Sequence, residues 1–202
     1  MSLGIIGQAA ALFAVTNIDD ILILALFFAQ GAGHAKATRN IAAGQYLGFA
    51  AILAVAVAAA FGATFLPEQA VPYLGLLPLA LGVRAAIQVW KDWREGSAEE
   101  AGVPKAAAGG PKAFEVAAVT FANGGDNIGV YVPAFAAGGI GGMSLYVIVF
   151  LILLAVWIAA GRFLATRPII ARTLSRWGHI LLPVVLIGIG LLILVEGGAF
   201  GL

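Results

Sequence analysis

The chain has 202 residues, 62% of them hydrophobic and only 10% charged, with a net charge of +1 and a mean hydropathy of +1.03. A soluble domain carries roughly a quarter charged residues, so the composition excludes a soluble fold and describes an integral membrane protein, and the balanced charge gives no footing to a nucleic-acid partner. Cysteine is absent, which excludes disulfides, thiolate metal sites and CxxC redox relays.

A spanning helix takes about 20 mostly apolar residues, and six segments meet that length. The first, Leu3–Gln30, holds "TNIDDI" (Thr16 to Ile21), which places Asp19 and Asp20 side by side near its middle. Its start lacks a basic n-region, so no cleaved signal peptide is expected. The second, Asn40–Phe65, offers Gln45 and Tyr46 toward a cavity and spaces Gly44 and Gly48 for helix contact. The third, Val71–Trp93, carries Arg84, which could snorkel to the interface or pair with a buried carboxylate as charge balance. Residues 94–112, "REGSAEEAGVPKAAAGGPK", read as a flexible cytoplasmic linker. The fourth segment, Phe114–Ala137, contains "NGGDNI" (Asn123 to Ile128), with Gly124 and Gly125 before Asp126 and Pro133 after it. Gly and Pro loosen a membrane helix and free carbonyls, so Gly124, Gly125 and Pro133 are expected hinge residues. Ser144–Ala165 and His179–Phe200 complete the set. These runs do not alternate as barrel strands would. Glu115 and Glu196 read as interfacial, and His34 and His179 as structural residues near helix ends.

The basic residues fall in alternate loops: Lys36 and Arg39, then Lys91, Arg94, Lys105 and Lys112, then Arg162, Arg167, Arg172 and Arg176. The second-to-third and fourth-to-fifth connections have none. Positive-inside puts the odd-numbered loops in the cytoplasm and both termini outside. The two motifs align at a constant offset, Thr16 on Asn123, Asp19 on Asp126 and Asp20 on Asn127, with Leu77-Pro78 against Leu182-Pro183 as a weaker cue. An odd number of helices per half forces opposite orientations. The expected fold is an all-α membrane protein of six transmembrane helices as two inverted three-helix repeats, residues 1–93 and 113–202, with a site at the midplane between them.

On a 3.6-residue period Thr16, Asp19 and Asp20 share one helix face, and Asn123, Asp126 and Asn127 repeat the spacing. Asn17 and Thr120 could add oxygens. An Asp at the centre of a membrane helix costs about 2.5–3.5 kcal/mol, so three cost on the order of 8–10 kcal/mol, comparable to the stability of a whole domain. Such a cost needs a cation, a proton or a buried partner as compensation. Hydrogen-bonded glue between helices is the competing role, but Asn or Ser would fill it without charge. Carboxylate, amide and hydroxyl oxygens suit hard divalent cations, and this donor set says "divalent cation" without naming one.

"VTNIDDILILALFF" and "FANGGDNIGVYVPAF" resemble the paired motifs of CadD-type cadmium resistance transporters, in the LysE superfamily of exporters. The resemblance spans nearly the whole chain. It implies export of cadmium, with zinc as a second ion, across the bacterial inner membrane, and it carries over Asn17, Asp19 and Asp20 from the first motif and Asn123, Asp126 and Asn127 from the second. Exporting a divalent cation against 100 mV, negative inside, costs about 4.6 kcal/mol. Exchange for two protons would cancel that charge movement, with Asp19, Asp20 and Asp126 as carriers. The expected partners are the bilayer, the metal ion and protons. No cofactor and no enzymatic activity are expected, since no Ser/His/Asp arrangement or phosphate-binding loop is present. Two other readings stay open: an exporter of a small organic cation or amino acid, and a membrane metal-binding partner that transports nothing.

Overall fold

The computed structural model describes residues 2–63, 65–95, 110–167, 183–184, 186–195 and 198–199. Regular structure among the described residues is helical throughout: α1 (Ser2–Thr16), α2 (Asp20–Gln30), α3 (Ala37–Ala63), a 3-10 segment (Glu68–Gly75) leading into α4 (Leu76–Glu95), α5 (Ala113–Asn123), α6 (Gly125–Leu164) and α7 (Leu186–Val195). Ala37–Ala63, Ala70–Lys91 and Gly125–Leu164 are long and apolar enough to cross a membrane, and α1 with α2 adds a fourth candidate as one bent pair. Most of the expected linker, residues 96–109, lies outside the described residues, as do Arg172, Arg176, His179, Leu182 and Glu196.

The first expected helix is not continuous. Leu3–Gln30 breaks between Thr16 and Asp20 and bends by 60°. The cause is local. Thr16 Oγ1 donates to the Leu12 carbonyl at 2.8 Å, and Asn17 Nδ2 donates to the Phe13 carbonyl at 2.8 Å. Short polar side chains of this kind compete with the backbone for helix acceptors. Asp19 then acts as the N-cap of α2, accepting from the Asp20 amide at 3.1 Å, a role for which Asp is strongly preferred. The expectation that Thr16, Asp19 and Asp20 share one face of one helix is therefore corrected: the break re-aims the two carboxylates relative to α1.

The second motif breaks at the corresponding place, α5 ending at Asn123 and α6 opening at Gly125. Ile52 Cδ1 occupies the space a Cβ on Gly124 would need, so a side chain here would oblige the tip of Ile52 to shift. Pro133 stays inside α6. The reversal of the chain falls later, at Gly139.

As a straight rod, α6 would be about 60 Å long, twice the hydrocarbon core. Gly139 has φ 59 and ψ −174, a region open essentially to glycine alone. The rings of Tyr131 and Phe150 stand 4.8 Å apart, where an unbroken helix would separate them by about 28 Å. Thus α6 is a hairpin with an N-terminal arm before Gly139 and a C-terminal arm after it. The connection expected between Ala137 and Ser144 is condensed into this one turn.

Glycines set the packing. Gly44 faces the Ala113 carbonyl and Val116, Gly48 faces Ala117 and Thr120, and Ile52 faces Gly124. Both sets of numbers rise together, so α3 and α5 run parallel in close contact. Phe13 meets Phe49 at 5.6 Å, while Phe27 and Phe28 share a cluster with Ala37 and Ile41. The α1–α2 pair therefore runs antiparallel to α3. Gly75 and Leu79 face Gly190, and Gly82 faces Ile187, which makes α4 and α7 antiparallel. Phe13, Phe49, Tyr131, Phe135 and Phe150 are fully buried and form one aromatic cluster beside the first break.

Candidate functional site

The two broken motifs meet. Asn123, the last residue of α5, donates from Nδ2 to Asp20 Oδ1 at 2.7 Å and to Asp19 Oδ2 at 3.4 Å. An amide NH2 from the second motif thus sits between both carboxylates of the first. Asp20 is 4% exposed. Asn17, at 1% exposed, donates to Thr16 Oγ1 at 3.0 Å and to the Tyr131 hydroxyl at 2.9 Å. Its Oδ1 is buried and accepts no hydrogen bond, an uncommon state for an amide oxygen. Thr16 commits its proton to Leu12, so the Tyr131 hydroxyl, 3.0 Å away, donates to Thr16 Oγ1.

A second group adjoins the first. Asp126 and Asn127, in the first turn of α6, line a cavity of about 210 Å³ together with Thr16, Leu81, Arg84 and Gln88. Arg84 lies close enough to act electrostatically on Asp126, and Asp126 does so on Asp19 and Asp20. The three carboxylates are within reach of one another's field without converging. Among the described residues no group of three or more His, Cys, Asp or Glu is gathered for a metal ion. Any cation held here would draw on amide and hydroxyl oxygens as well.

Three side chains read as possible contributors are committed elsewhere. Thr120 donates to Gln45 Oε1 at 2.7 Å, and Tyr46 donates to the Leu151 carbonyl at 3.1 Å. None of the three lines the cavity. They knit α3 to α5 and to the C-terminal arm of α6.

A model of the cadmium resistance transporter family matches residues 13–202. The chain belongs to the cadmium resistance transporter family. No curated protein and no solved structure matches it. The matched region includes both motifs, both breaks and the cavity. With several apolar helices, this member of a transporter family is a multi-pass membrane protein. The family points to a metal ion as its substrate and is not a family of enzymes.

Two residues that hold the first break in place were missed in the sequence. Tyr131 is fully buried and ties the first break to the N-terminal arm of α6 through Thr16 and Asn17. Trp157 Nε1 donates to the Asn17 carbonyl at 2.6 Å, satisfying a backbone acceptor freed by the break where hydrocarbon offers no substitute. The available signal was that each carries a polar atom needing a partner once buried. Trp157→Phe keeps an aromatic ring against Phe13, 5.2 Å away, and removes the donor. It should lower stability by about 1–3 kcal/mol, read as a lower midpoint in thermal unfolding of the detergent-solubilised protein. An unchanged midpoint would show that the Asn17 carbonyl does not depend on the indole.

Proposed function

We propose that this family member is a secondary transporter that exports a divalent cation, cadmium first and zinc second, across the bacterial inner membrane in exchange for protons, at an Asp/Asn site near the midplane between two inverted three-helix repeats. The observation that carries the proposal is the Asn123 amide donating to both Asp20 and Asp19. A positively polarised NH2 group occupies the place a cation would take between two carboxylates.

The directions of packing support the inverted repeat. The α1–α2 pair runs against α3 and α3 runs with α5, so α5 runs against α1–α2. The antiparallel contact of α4 with α7 places Gly82 on Ile187 and Leu79 on Gly190, and a two-fold relation between the halves requires this opposed direction. In this arrangement the spans are α1–α2, α3, the 3-10 segment with α4, α5 with the N-terminal arm of α6, its C-terminal arm, and α7. Residues 94–112 link the repeats on the cytoplasmic side, and both termini lie outside.

A cation entering from the cytoplasm displaces the Asn123 NH2. A flip of that amide then presents its oxygen as a ligand. Asn17 Oδ1, Thr16, Asp126 and Asn127 complete a mixed oxygen set. Such donors favour harder ions and hold cadmium less tightly, which suits a carrier that must release it. Gly124, Gly125 and Pro133 are the proposed hinge for rocking of the repeats. Two protons carried inward on Asp19, Asp20 and Asp126 offset the outward divalent charge, whose movement costs about 4.6 kcal/mol per 100 mV.

In inside-out vesicles at clamped potential, an acid lumen should accelerate cadmium uptake, and added cadmium should release lumenal protons. Uptake indifferent to the pH gradient removes the proton coupling. No uptake of cadmium, zinc, manganese or calcium by folded protein removes divalent-cation export itself.

A further inference from the structure

We propose that Arg84 is a tethered competitor for the transported cation: in the empty transporter its guanidinium neutralises Asp126, and the metal must displace it. The inference rests on the transport reading above. Leu81, Arg84, Ala85 and Gln88 line the cavity together, and their i, i+3, i+4, i+7 spacing makes them a single face of α4. Asp126 and Asn127 line the same cavity from α6. Arg84 belongs to the apolar segment Ala70–Lys91, where a guanidinium that cannot lose its proton needs a negative partner. Asp126 is the carboxylate with which it shares the cavity.

The first-motif carboxylates have Asn123 hydrogen-bonded to them as a stand-in cation, whereas Asp126 has Arg84 across the shared cavity, acting through its field without a direct ion pair. The two stand-ins differ in one respect. Asn123 can turn an oxygen toward the metal, whereas a guanidinium has no acceptor atom and can only withdraw. A divalent cation and Arg84 therefore exclude each other at Asp126. The pair also joins the two halves, Arg84 lying on α4 and Asp126 on α6. Return of Arg84 to Asp126 would help expel the ion and reset the empty carrier.

The test uses the full chain, with cadmium binding measured by calorimetry in detergent and flux in proteoliposomes. Arg84→Gln should bind cadmium about tenfold more tightly, within the usual range for two competing interactions, and should turn over more slowly, with kcat and KM falling together. Arg84→Lys, which keeps a charge that can compete, should stay near wild type. In an Asp126→Asn background, Arg84→Gln should have no further effect on affinity. Wild-type affinity in Arg84→Gln, or an effect of the same size in the Asp126→Asn background, overturns the proposal. Should Arg84→Gln fail to fold because Asp126 is left unpaired, the double variant removes both charges. It must then fold and bind as Asp126→Asn does, and a different affinity overturns the proposal. Wild-type protein that binds and transports cadmium alongside an unaltered Arg84→Gln defeats this inference alone. Folded wild-type protein that binds no divalent cation defeats the transport reading and this inference with it.

Discussion

Asp20→Asn should cut cadmium flux about 100-fold, equivalent to about 3 kcal/mol, while leaving the protein as stable as wild type or more so. The substitution keeps the shape of the side chain. An amide oxygen at position 20 can still accept from Asn123 Nδ2, now 2.7 Å from Asp20 Oδ1. What disappears is a charge in a side chain only 4% exposed, and a buried carboxylate is costly to hold ionised unless it is paired. Flux measured in proteoliposomes and unfolding measured in detergent should therefore move in opposite directions or separate. Helix glue predicts another pattern, with stability falling and flux following it. Flux that survives the substitution would place the cation site away from the first motif.

Gly48→Leu should damage the fold severely. A Cβ at this position would stand 2.6 Å from the Ala117 carbonyl oxygen and 2.7 Å from Thr120 Cβ. Neither atom is the end of a flexible side chain, so α3 and α5 would have to move apart. Overpacking costs about 1–3 kcal/mol and more when backbone is displaced. Separation would also strain the 2.7 Å bond from Thr120 to Gln45, whose buried partners are expensive to leave unpaired. With about 2–4 °C of melting temperature per kcal/mol in a chain of this size, a fall of about 10 °C or outright aggregation on size exclusion is expected. Gly62→Leu is the control, because a Cβ on Gly62, also in α3, meets nothing within 4 Å. Equal damage from both would mean that close approach at Gly48 is not what joins the two helices.

Much of the helical content was legible because apolar run length is a direct consequence of bilayer thickness. The glycine pair at 124 and 125 marked a helix boundary in advance, since a missing side chain is visible in sequence. The break after Thr16 was not foreseen. Its cause is a contest for the Leu12 and Phe13 carbonyls that the apolar period of α1 and α2 conceals. Tyr131 and Trp157 could not be connected to Asn17, because their contacts span 114 and 140 residues and depend on the reversal at Gly139. Of the candidate ligands, Asp19, Asp20 and Asn123 are found together and Asp126 and Asn127 beside them around the cavity. Thr120 was misread because spacing cannot reveal that a neighbouring helix already offers Gln45.

The hydrogen bonds from Asn123 to Asp19 and Asp20 span 104 and 103 residues, and that distance is also a delay. At about 5–20 residues added per second, the two carboxylates leave the ribosome about 5–20 s before the amide that will sit between them. Throughout that interval α3 lacks α5, and its glycine face has nothing to pack on. The nascent first half is thus a long-lived intermediate with polar groups it cannot yet satisfy. Quality-control proteases have their best opportunity then, and substitutions that weaken α1 to α3 should lower yield before they alter transport.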